Sequence, residues 1–212
     1  MSASSHPNVH LIDHPLIRVR LSRLRDKNAD SAEFRRNLHQ IAQLMVYEIT
    51  RNFPVRDIEI ETPLETMTGA EPERPIVLVP ILRAGVGMLN GILQILPDAH
   101  MGQIGMYRDE ETLEPKSYCC NLPSNIGEAD TLLIDPMLAT GNSSIEAANQ
   151  VREQGAKRIC FVCLVACPEG LEQFTRAHSE IPVYTAAIDR ELNEKSYIVP
   201  GLGDAGDRYF GT

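Results

Sequence analysis

The sequence has no tryptophan, and aromatic residues make up only 5% of its 212 positions. It also lacks any apolar run that approaches membrane-spanning length, and its N-terminus has no apolar signal core. We therefore expect a cytoplasmic protein with no membrane partner. Hydrophobic residues at 43% and charged residues at 23% are ordinary for a globular chain, and the length suits a single domain over residues 1–212.

Cysteine is scarce and irregularly spaced. Five cysteines, an odd number, exclude a regular disulfide framework. Cys160 and Cys163 form a C-x-x-C pair, but they lie within the apolar run 159–165, which is typical of a buried strand. Residues three apart in a strand point to opposite faces, so the pair is a poor metal site. We interpret both as small buried side chains.

Basic residues are outnumbered by acidic ones, 20 to 29, and the net charge of −9 argues against a nucleic-acid partner. The charge is uneven, because the stretch Arg18–Arg36 holds seven basic and three acidic residues. A solvated helix face is the simplest interpretation of that stretch. A subunit interface and an anionic effector site are the alternatives.

The first clear helix follows Asp30. This residue can cap a helix, and Glu33 three positions later completes a capping box. Apolar residues then recur every three or four positions, which predicts one buried stripe to about Asn52. Residues 1–13 before it have the pattern of a loose start.

Short apolar runs alternate with helical stretches through the rest of the chain. The runs cover 76–82, 131–135, 158–166 and 181–188, and the helices are predicted to end near Leu96 and to span 143–154. This alternation predicts an α/β fold with a parallel sheet covered on both faces. Ligands of such sheets bind at the carboxyl ends of the strands.

The loop after the second run has the composition of a phosphate site. Asp135 ends the strand, and hydroxyl and small residues follow before a helix begins. Backbone N–H groups at a helix start suit a phosphate dianion, and the carboxylate suits vicinal sugar hydroxyls. The alternative is a capped helix with Asp135 as a turn residue. No lysine precedes the serine, which excludes a nucleoside-triphosphate loop.

This loop resembles the phosphoribosyl pyrophosphate (PRPP) loop of type I phosphoribosyltransferases, and its Asp-Pro-Met-Leu-Ala-Thr-Gly form resembles the uracil branch. The resemblance implies a central parallel sheet flanked by helices, a β-hairpin arm and a small hood built from the terminal segments. Asn142 stands where that branch often has glycine; asparagine tolerates left-handed backbone, so we expect the phosphate cradle to survive. The implied PRPP-binding residues of the loop are Asp135, Pro136, Met137, Leu138, Ala139, Thr140, Gly141, Asn142 and Ser143.

Two arginines lie outside this loop: Arg83 directly follows the apolar run 76–82, and Arg108 lies in the polar stretch 106–115. Alone, Arg83 equally fits an exposed or ion-paired residue, although a guanidinium beside glycine suits a polyanion. The segment 80–85 resembles the pyrophosphate loop of the same family. The resemblance implies that the polar hairpin 106–115 folds over the site and that Arg83 and Arg108 contact PRPP.

The segment 197–208 carries three glycines and a proline, which can expose peptide groups to a ligand. By composition alone it is an ordinary glycine-rich loop. Its sequence resembles the base pocket of the uracil branch. The resemblance implies that the Ile198 carbonyl and the Gly203 and Ala205 amides bind uracil. It also implies that Asp204 contacts both PRPP and uracil. Ser196, which replaces a common glycine, is expected to lie outside the contact set.

The function implied is transfer of ribose 5-phosphate from PRPP to uracil, giving UMP and pyrophosphate through an oxocarbenium-like transition state. Arg83, Arg108 and Asp204 are the implied catalytic residues. Mg²⁺ is expected to arrive with PRPP, without a dedicated protein site. The resemblance also implies a homodimer or homotetramer, with GTP as an effector. A phosphoribosyltransferase for another base and a non-catalytic PRPP-binding regulator of pyrimidine genes are the alternatives.

Overall fold

The computed structural model describes residues 7–108 and 115–212, with Arg108 and Pro115 described by their backbone alone. The strands of the described part are β1 (Val9–Leu11), β2 (Val55–Glu61), β3 (Thr66–Pro72), β4 (Ile76–Leu82), β5 (His100–Met101), β6 (Gln103–Arg108), β7 (Pro115–Asn121), β8 (Asp130–Ile134), β9 (Met137–Leu138), β10 (Arg158–Ala166), β11 (Val183–Ile188), β12 (Glu191–Leu192) and β13 (Ile198–Val199). The helices are α1 (Pro15–Arg25), α2 (Ser31–Ile49), α3 (Val86–Ile92), α4 (Asn142–Glu153), α5 (Pro168–Ala177) and α6 (Ala205–Phe210), and a 3₁₀ turn, Thr50–Asn52, extends α2.

A nine-stranded sheet forms the centre of the molecule. Its strand order is β1-β11-β10-β8-β4-β6-β7, with β5 beside β4 and β9 beside β10. Every pair in this sheet is parallel except β6 and β7, which form an antiparallel hairpin. The predicted α/β architecture with a central, mostly parallel sheet is confirmed, and the β6–β7 hairpin stands where the arm was expected.

Helices cover both faces of the sheet. Leu132 of β8 belongs to the apolar cluster that includes the buried faces of α1, α2, α3 and α6. Its neighbour Leu133 belongs to the opposite cluster, together with Ala147 of α4 and Phe174 of α5. Because both faces of the inner strands are buried, their sequences are continuous apolar runs rather than alternating ones.

The two cysteines of the C-x-x-C pair lie on opposite faces of β10. Cys160 belongs to the cluster under α1–α3 and Cys163 to the cluster under α4 and α5. Burial raises the pKa of each thiol to about 12, so both stay protonated and apolar near neutral pH. The interpretation of these residues as buried small side chains is confirmed.

The predicted helix with its Asp30 cap is also confirmed, since α2 begins at Ser31 and Asp30 Oδ1 accepts a hydrogen bond from the Glu33 N–H at 2.7 Å. Helix α3 is shorter than predicted: it ends at Ile92, whose carbonyl then accepts from both Ile95 and Leu96 in a tighter turn. Pro97 follows, and a proline disfavours α-helical backbone at the residue before it.

The prediction of a loose start was wrong for the residues after Pro7. Strand β1 pairs in parallel with β11, and the Val183 N–H donates to the Asn8 carbonyl at 2.8 Å. Three residues, of which only Val9 is buried, are too few to show a hydrophobic period.

The basic stretch 18–36 is not one solvated helix face. A loop divides it between α1 and α2, and two of its cations turn inward. Arg25 donates to the Gly201 carbonyl at 2.9 Å, and Arg35 donates to the Tyr209 carbonyl at 2.7 Å. The stretch therefore binds the C-terminal segment, a role that its composition did not indicate.

Two small antiparallel units lie outside the central sheet. Strands β2 and β3 pair over seven residues each, from Val55 opposite Pro72 to Glu61 opposite Thr66, and were not predicted. Strands β12 and β13 form the second unit, and Arg25 of α1 contacts Gly201 just after β13; the hood built from terminal segments stays a prediction. None of the helices in the described ranges combines the length and apolarity that a bilayer crossing requires.

Candidate active site

The predicted loops meet at the carboxyl edge of the sheet. Strands β4 and β8 are neighbours, with Pro80 opposite Ile134, and the loops that begin at Arg83 and Asp135 follow them. A cavity of about 240 Å³ lies there. Its walls come from three segments: Ala84; Asp135, Met137, Ala139, Thr140, Gly141, Ser143 and Ser144; and Ser196, Tyr197, Ile198, Gly203, Asp204, Ala205 and Gly206.

Asp135 lies at the bottom of this cavity. Its N–H donates to the Val162 carbonyl at 3.1 Å, which holds the residue against β10, and its Oδ1 accepts from the Met137 N–H at 3.3 Å. Protein surrounds the carboxyl except where it meets the cavity, and this burial raises its pKa from 3.8 to about 7; the nearby charge of Asp204 adds to the shift, and the Met137 N–H opposes it. Hydroxyl donors from a ligand would favour the ionised form.

The loop that begins at Asp135 leads into helix α4, whose first turn has no side-chain cap. Gly141 precedes α4 with a φ of 85°, in the left-handed region, and it has no side chain to cap the helix. Thr140, Ser143 and Ser144 line the cavity beside this uncapped helix start, an arrangement that suits an anion. Asn142 is the first residue of α4 and is exposed, so its tolerance of left-handed backbone is not used.

Three residues of the predicted loop are not among the cavity walls. The Pro136 carbonyl accepts from the N–H groups of Leu164 and Val165, each at 3.0 Å, and Leu138 is fully buried in the apolar layer under α4 and α5. Asn142 points to solvent. The sequence alone did not indicate which residues of the loop line the cavity.

The two predicted arginines are placed differently. Arg83 is 62% exposed, and its guanidinium lies 3.7 Å from an Asp207 carboxylate oxygen and over the Phe210 ring at 5.5 Å. It stands beside Ala84 at the cavity rim rather than in its wall. The backbone of Arg108 ends β6, and its side chain lies outside the described part of the chain.

The segment predicted to bind the base forms part of the cavity wall. The Tyr197 carbonyl accepts from the Asn193 N–H, and the Val199 carbonyl accepts from the Arg190 N–H; both donors flank β12. Because carbonyls alternate in direction along a strand, the Ile198 carbonyl points away from β12. Gly203, with a φ of 79°, and Ala205, the first residue of α6, both line the cavity.

Asp204 has a structural bond as well as a cavity position. Its Oδ1 accepts the Asp207 N–H at 2.9 Å and so caps α6, while the residue lines the cavity opposite Asp135. Ser196 also lines the cavity, contrary to the expectation that it would lie outside the contact set. Its φ of 61° explains why glycine suits this position.

Ser144, a candidate hydroxyl donor of the phosphate loop, lines the cavity, and four wall residues were not predicted: Ala84, Ser196, Tyr197 and Gly206. Each adjoins a predicted residue or lies within a segment that was singled out, so proximity in the sequence was the available signal. Two further residues that act on the segment, Arg25 and Asp189, are 164 positions apart and carried no local signal.

Comparison with known proteins decides the family. The sequence model of uracil phosphoribosyltransferase matches residues 11–212. The chain belongs to the uracil phosphoribosyltransferase family.

Relatives match this chain over nearly its whole length. It is similar to the uracil phosphoribosyltransferase of Acidovorax ebreus, with 53% identity over 97% of the chain and 99% of the relative. The protein of the same name from Ligilactobacillus salivarius is 52% identical over 95% of the chain and 97% of the relative. The family is one of pentosyltransferase enzymes, as the sequence predicted.

Solved structures show the same architecture. The AQ2163 protein of Aquifex aeolicus superimposes with a TM-score of 0.91 at 33% identity and covers 96% of this chain and 98% of its own. A purine phosphoribosyltransferase from Pyrococcus horikoshii gives a TM-score of 0.51 at 17% identity over 73% of this chain and 84% of its own, which shows a shared fold alone. The type I phosphoribosyltransferase fold is thus confirmed.

Proposed function

We propose that this chain transfers the 5-phosphoribosyl group of PRPP to a ring nitrogen of uracil. One observation carries the proposal: a single cavity is lined by residues at the start of α4, by Asp135, and by Ile198 and residues 203–206. These segments offer the donors and acceptors that a phosphate, a ribose and a pyrimidine edge require.

The phosphate and the ribose are assigned to the loop of Asp135–Ser143. The N–H groups at the start of α4 and the hydroxyls of Thr140 and Ser143 bind the 5-phosphate. Asp135 accepts hydrogen bonds from the two ribose hydroxyls, for which its ionised form is needed. The shift of its pKa to about 7 leaves that form available at neutral pH.

Uracil is assigned to the segment 198–205. The base offers an acceptor, a donor and an acceptor along one edge, and the Gly203 N–H, the Ile198 carbonyl and the Ala205 N–H complement that pattern. Cytosine presents the wrong group at two of the three places and would leave buried polar groups unpaired. Discrimination of about 10⁴-fold or more against cytosine is expected.

The displacement needs no covalent nucleophile. The bond between the anomeric carbon and the pyrophosphate oxygen breaks with its electron pair on oxygen, the uracil nitrogen forms the new bond, and its proton leaves to solvent. Positioning the nitrogen in line and stabilising the leaving group are the main tasks. We assign the second task to Arg83, Arg108 and Asp204, the last through the cations around the pyrophosphate.

The cavity walls fit a Mg²⁺ that is shared with the substrate. Asp135 and Asp204 are the carboxylates of these walls, and their charges are close enough for Asp204 to raise the pKa of Asp135. Mg²⁺ keeps water and phosphate oxygens as ligands and needs few from protein. Asp135 and Asp204 would hold the ion or its water, and the ion would neutralise charge on the pyrophosphate.

Arg83→Ala is expected to lower kcat/KM for PRPP by about 10²-fold, or about 3 kcal/mol of transition-state stabilisation. The guanidinium is 62% exposed, and its contacts with Asp207 and the Phe210 ring are long, so it is available to a polyanion at the rim. Steady-state kinetics measures the effect. Arg51→Ala, which removes an exposed arginine paired with Glu48, is the matched control. Wild-type turnover by the Arg83 variant would remove Arg83 from the mechanism.

The test of the activity is UMP formation from uracil, PRPP and Mg²⁺, with cytosine, hypoxanthine and orotate in parallel reactions. Product with uracil alone supports both the reaction and the main-chain reading of the base. Saturable PRPP binding without product from any base contradicts the proposal and favours a PRPP-binding regulator instead.

The homodimer or homotetramer and the GTP effector stay predictions of the family resemblance, and the cytoplasmic location stays a prediction of the sequence. Light scattering with and without GTP, and activity titrated with GTP at fixed PRPP, would measure the first two.

A further inference from the structure

The two peptide groups on either side of Gly201, in the segment 197–208, are held by an ion pair from outside the cavity. The two guanidinium nitrogens of Arg25 donate to the two carboxylate oxygens of Asp189, each at 2.7 Å. The Gly201 N–H donates to Asp189 Oδ2 at 2.8 Å, and the Gly201 carbonyl accepts from Arg25 at 2.9 Å. We call these three residues the Gly201 clamp.

The clamp is fixed to the body of the fold at both ends. Arg25 is the last residue of α1, and Asp189 follows β11 with its own N–H donating to the Ala166 carbonyl at 2.8 Å. The side chains are only 21% and 7% exposed, which separates this pair from the solvent-screened ion pairs of the surface. Hydrogen bonds to charged groups in such a setting are shorter and stronger than neutral ones.

Gly201 connects the clamp to the main-chain groups that are proposed to bind the base. Its φ of 62° folds the chain back so closely that a Cβ there would lie 2.0 Å from the Ile198 carbonyl oxygen. The next peptide is held as well, because Arg208 donates to the Leu202 carbonyl at 2.7 Å and to the Asp26 carbonyl at 2.6 Å. The chain between Ile198 and Gly203 is thus fixed through three consecutive peptide groups.

We propose that Arg25 and Asp189 are positioning residues that set the affinity and selectivity for the pyrimidine base. The inference rests on the proposed role of the Ile198 carbonyl and the Gly203 and Ala205 amides. Neither side chain is among the cavity walls; they act through Gly201. A shift of the Gly201 peptide would misplace the acceptor and the donors together, so the base would lose several hydrogen bonds at once while the phosphate loop kept its geometry.

The test uses Asp189→Asn and the milder Arg25→Lys. The single amide oxygen of asparagine cannot replace both carboxylate oxygens that accept from Arg25 and the Gly201 N–H. Lysine keeps the charge but lacks the planar fork that meets both carboxylate oxygens at once. In each variant, KM for uracil is expected to rise about 10-fold or more while KM for PRPP changes less than about 2-fold. The preference for uracil over cytosine in kcat/KM is expected to fall about 10-fold.

Glu180→Gln and Arg152→Lys are the matched controls, since they make the same kinds of change in an exposed ion pair. Both are expected to keep the wild-type KM values. Thermal unfolding of all four variants measures stability beside the kinetics. A lowered unfolding temperature with an unchanged uracil KM would reduce the clamp to a structural pair and overturn the inference. If the wild-type protein forms no UMP, the proposed function fails and the clamp inference falls with it; wild-type activity with unaltered variants removes the inference alone.

Discussion

Asp135→Asn is expected to lower kcat/KM for PRPP by about 10²- to 10³-fold and to make the folded protein more stable at pH 8. The loss of activity follows from the proposed function, in which both ribose hydroxyls donate to this carboxylate. An amide offers one acceptor oxygen and turns a donor toward the second hydroxyl. The gain in stability follows from burial of the same carboxyl.

The sign of the stability change comes from the pKa of Asp135. Burial raises it from 3.8 to about 7, so the folded protein holds the proton more tightly than the unfolded chain does. Stability therefore falls as the pH rises from about 4 through 7, because the unfolded state loses its proton first. At about 1.36 kcal/mol for each pH unit the full shift would be about 4 kcal/mol, and cavity water reduces this to about 1–2 kcal/mol.

Urea unfolding at pH 4 and pH 8 measures this effect. The free energy of unfolding of Asp135→Asn should exceed that of the wild type at pH 8, and the excess should shrink toward pH 4. Asp57→Asn, which changes an exposed aspartate of β2, serves as the control and should alter neither stability nor activity. If Asp135→Asn keeps the wild-type kcat/KM for PRPP, or is less stable than the wild type at pH 8, the prediction is wrong.

The inner part of this fold could be read from the sequence for a physical reason. Strands β4, β8 and β10 are buried on both faces, so their apolar runs are unbroken. Helix α2 combines a capping aspartate with a long apolar stripe, which marks both its start and its buried side. The loops at the carboxyl ends of these strands then had to meet at one edge of the sheet.

The parts that were missed depend on contacts between distant residues or on exposure. Strand β1 is three residues long, and β2 and β3 present mostly exposed side chains, so neither offers a buried period. Met137 lines the cavity and Leu138 does not, because successive side chains of strand β9 point to opposite sides and that of Leu138 is buried in the core. The raised pKa of Asp135 follows from burial, which no local pattern reports.

The close approach of the two loops depends on Gly85. A Cβ at this position would lie 2.5 Å from the Ile134 carbonyl oxygen and 2.7 and 2.8 Å from the carbonyl oxygen and nitrogen of Ile81. All three are backbone atoms of β4 and β8, which cannot move independently of the sheet. The φ of −58° is ordinary, so the requirement for glycine is one of space, not of backbone conformation.

Gly85→Ala is therefore expected to destabilise the fold by about 2–3 kcal/mol and to lower kcat/KM by about 10²-fold or more. The added methyl separates the end of β4 from Ile134, and Asp135 is the next residue, so the phosphate loop and the pyrophosphate loop move apart. Gly69→Ala is the matched control: its Cβ would meet only the flexible Ile60 side chain, at 3.0 Å or more, on the exposed β2–β3 hairpin. Urea unfolding and steady-state kinetics measure both variants. If Gly85→Ala keeps wild-type activity, the sheet edge is more plastic than these contacts allow, and the fixed spacing between the two loops is not what positions PRPP.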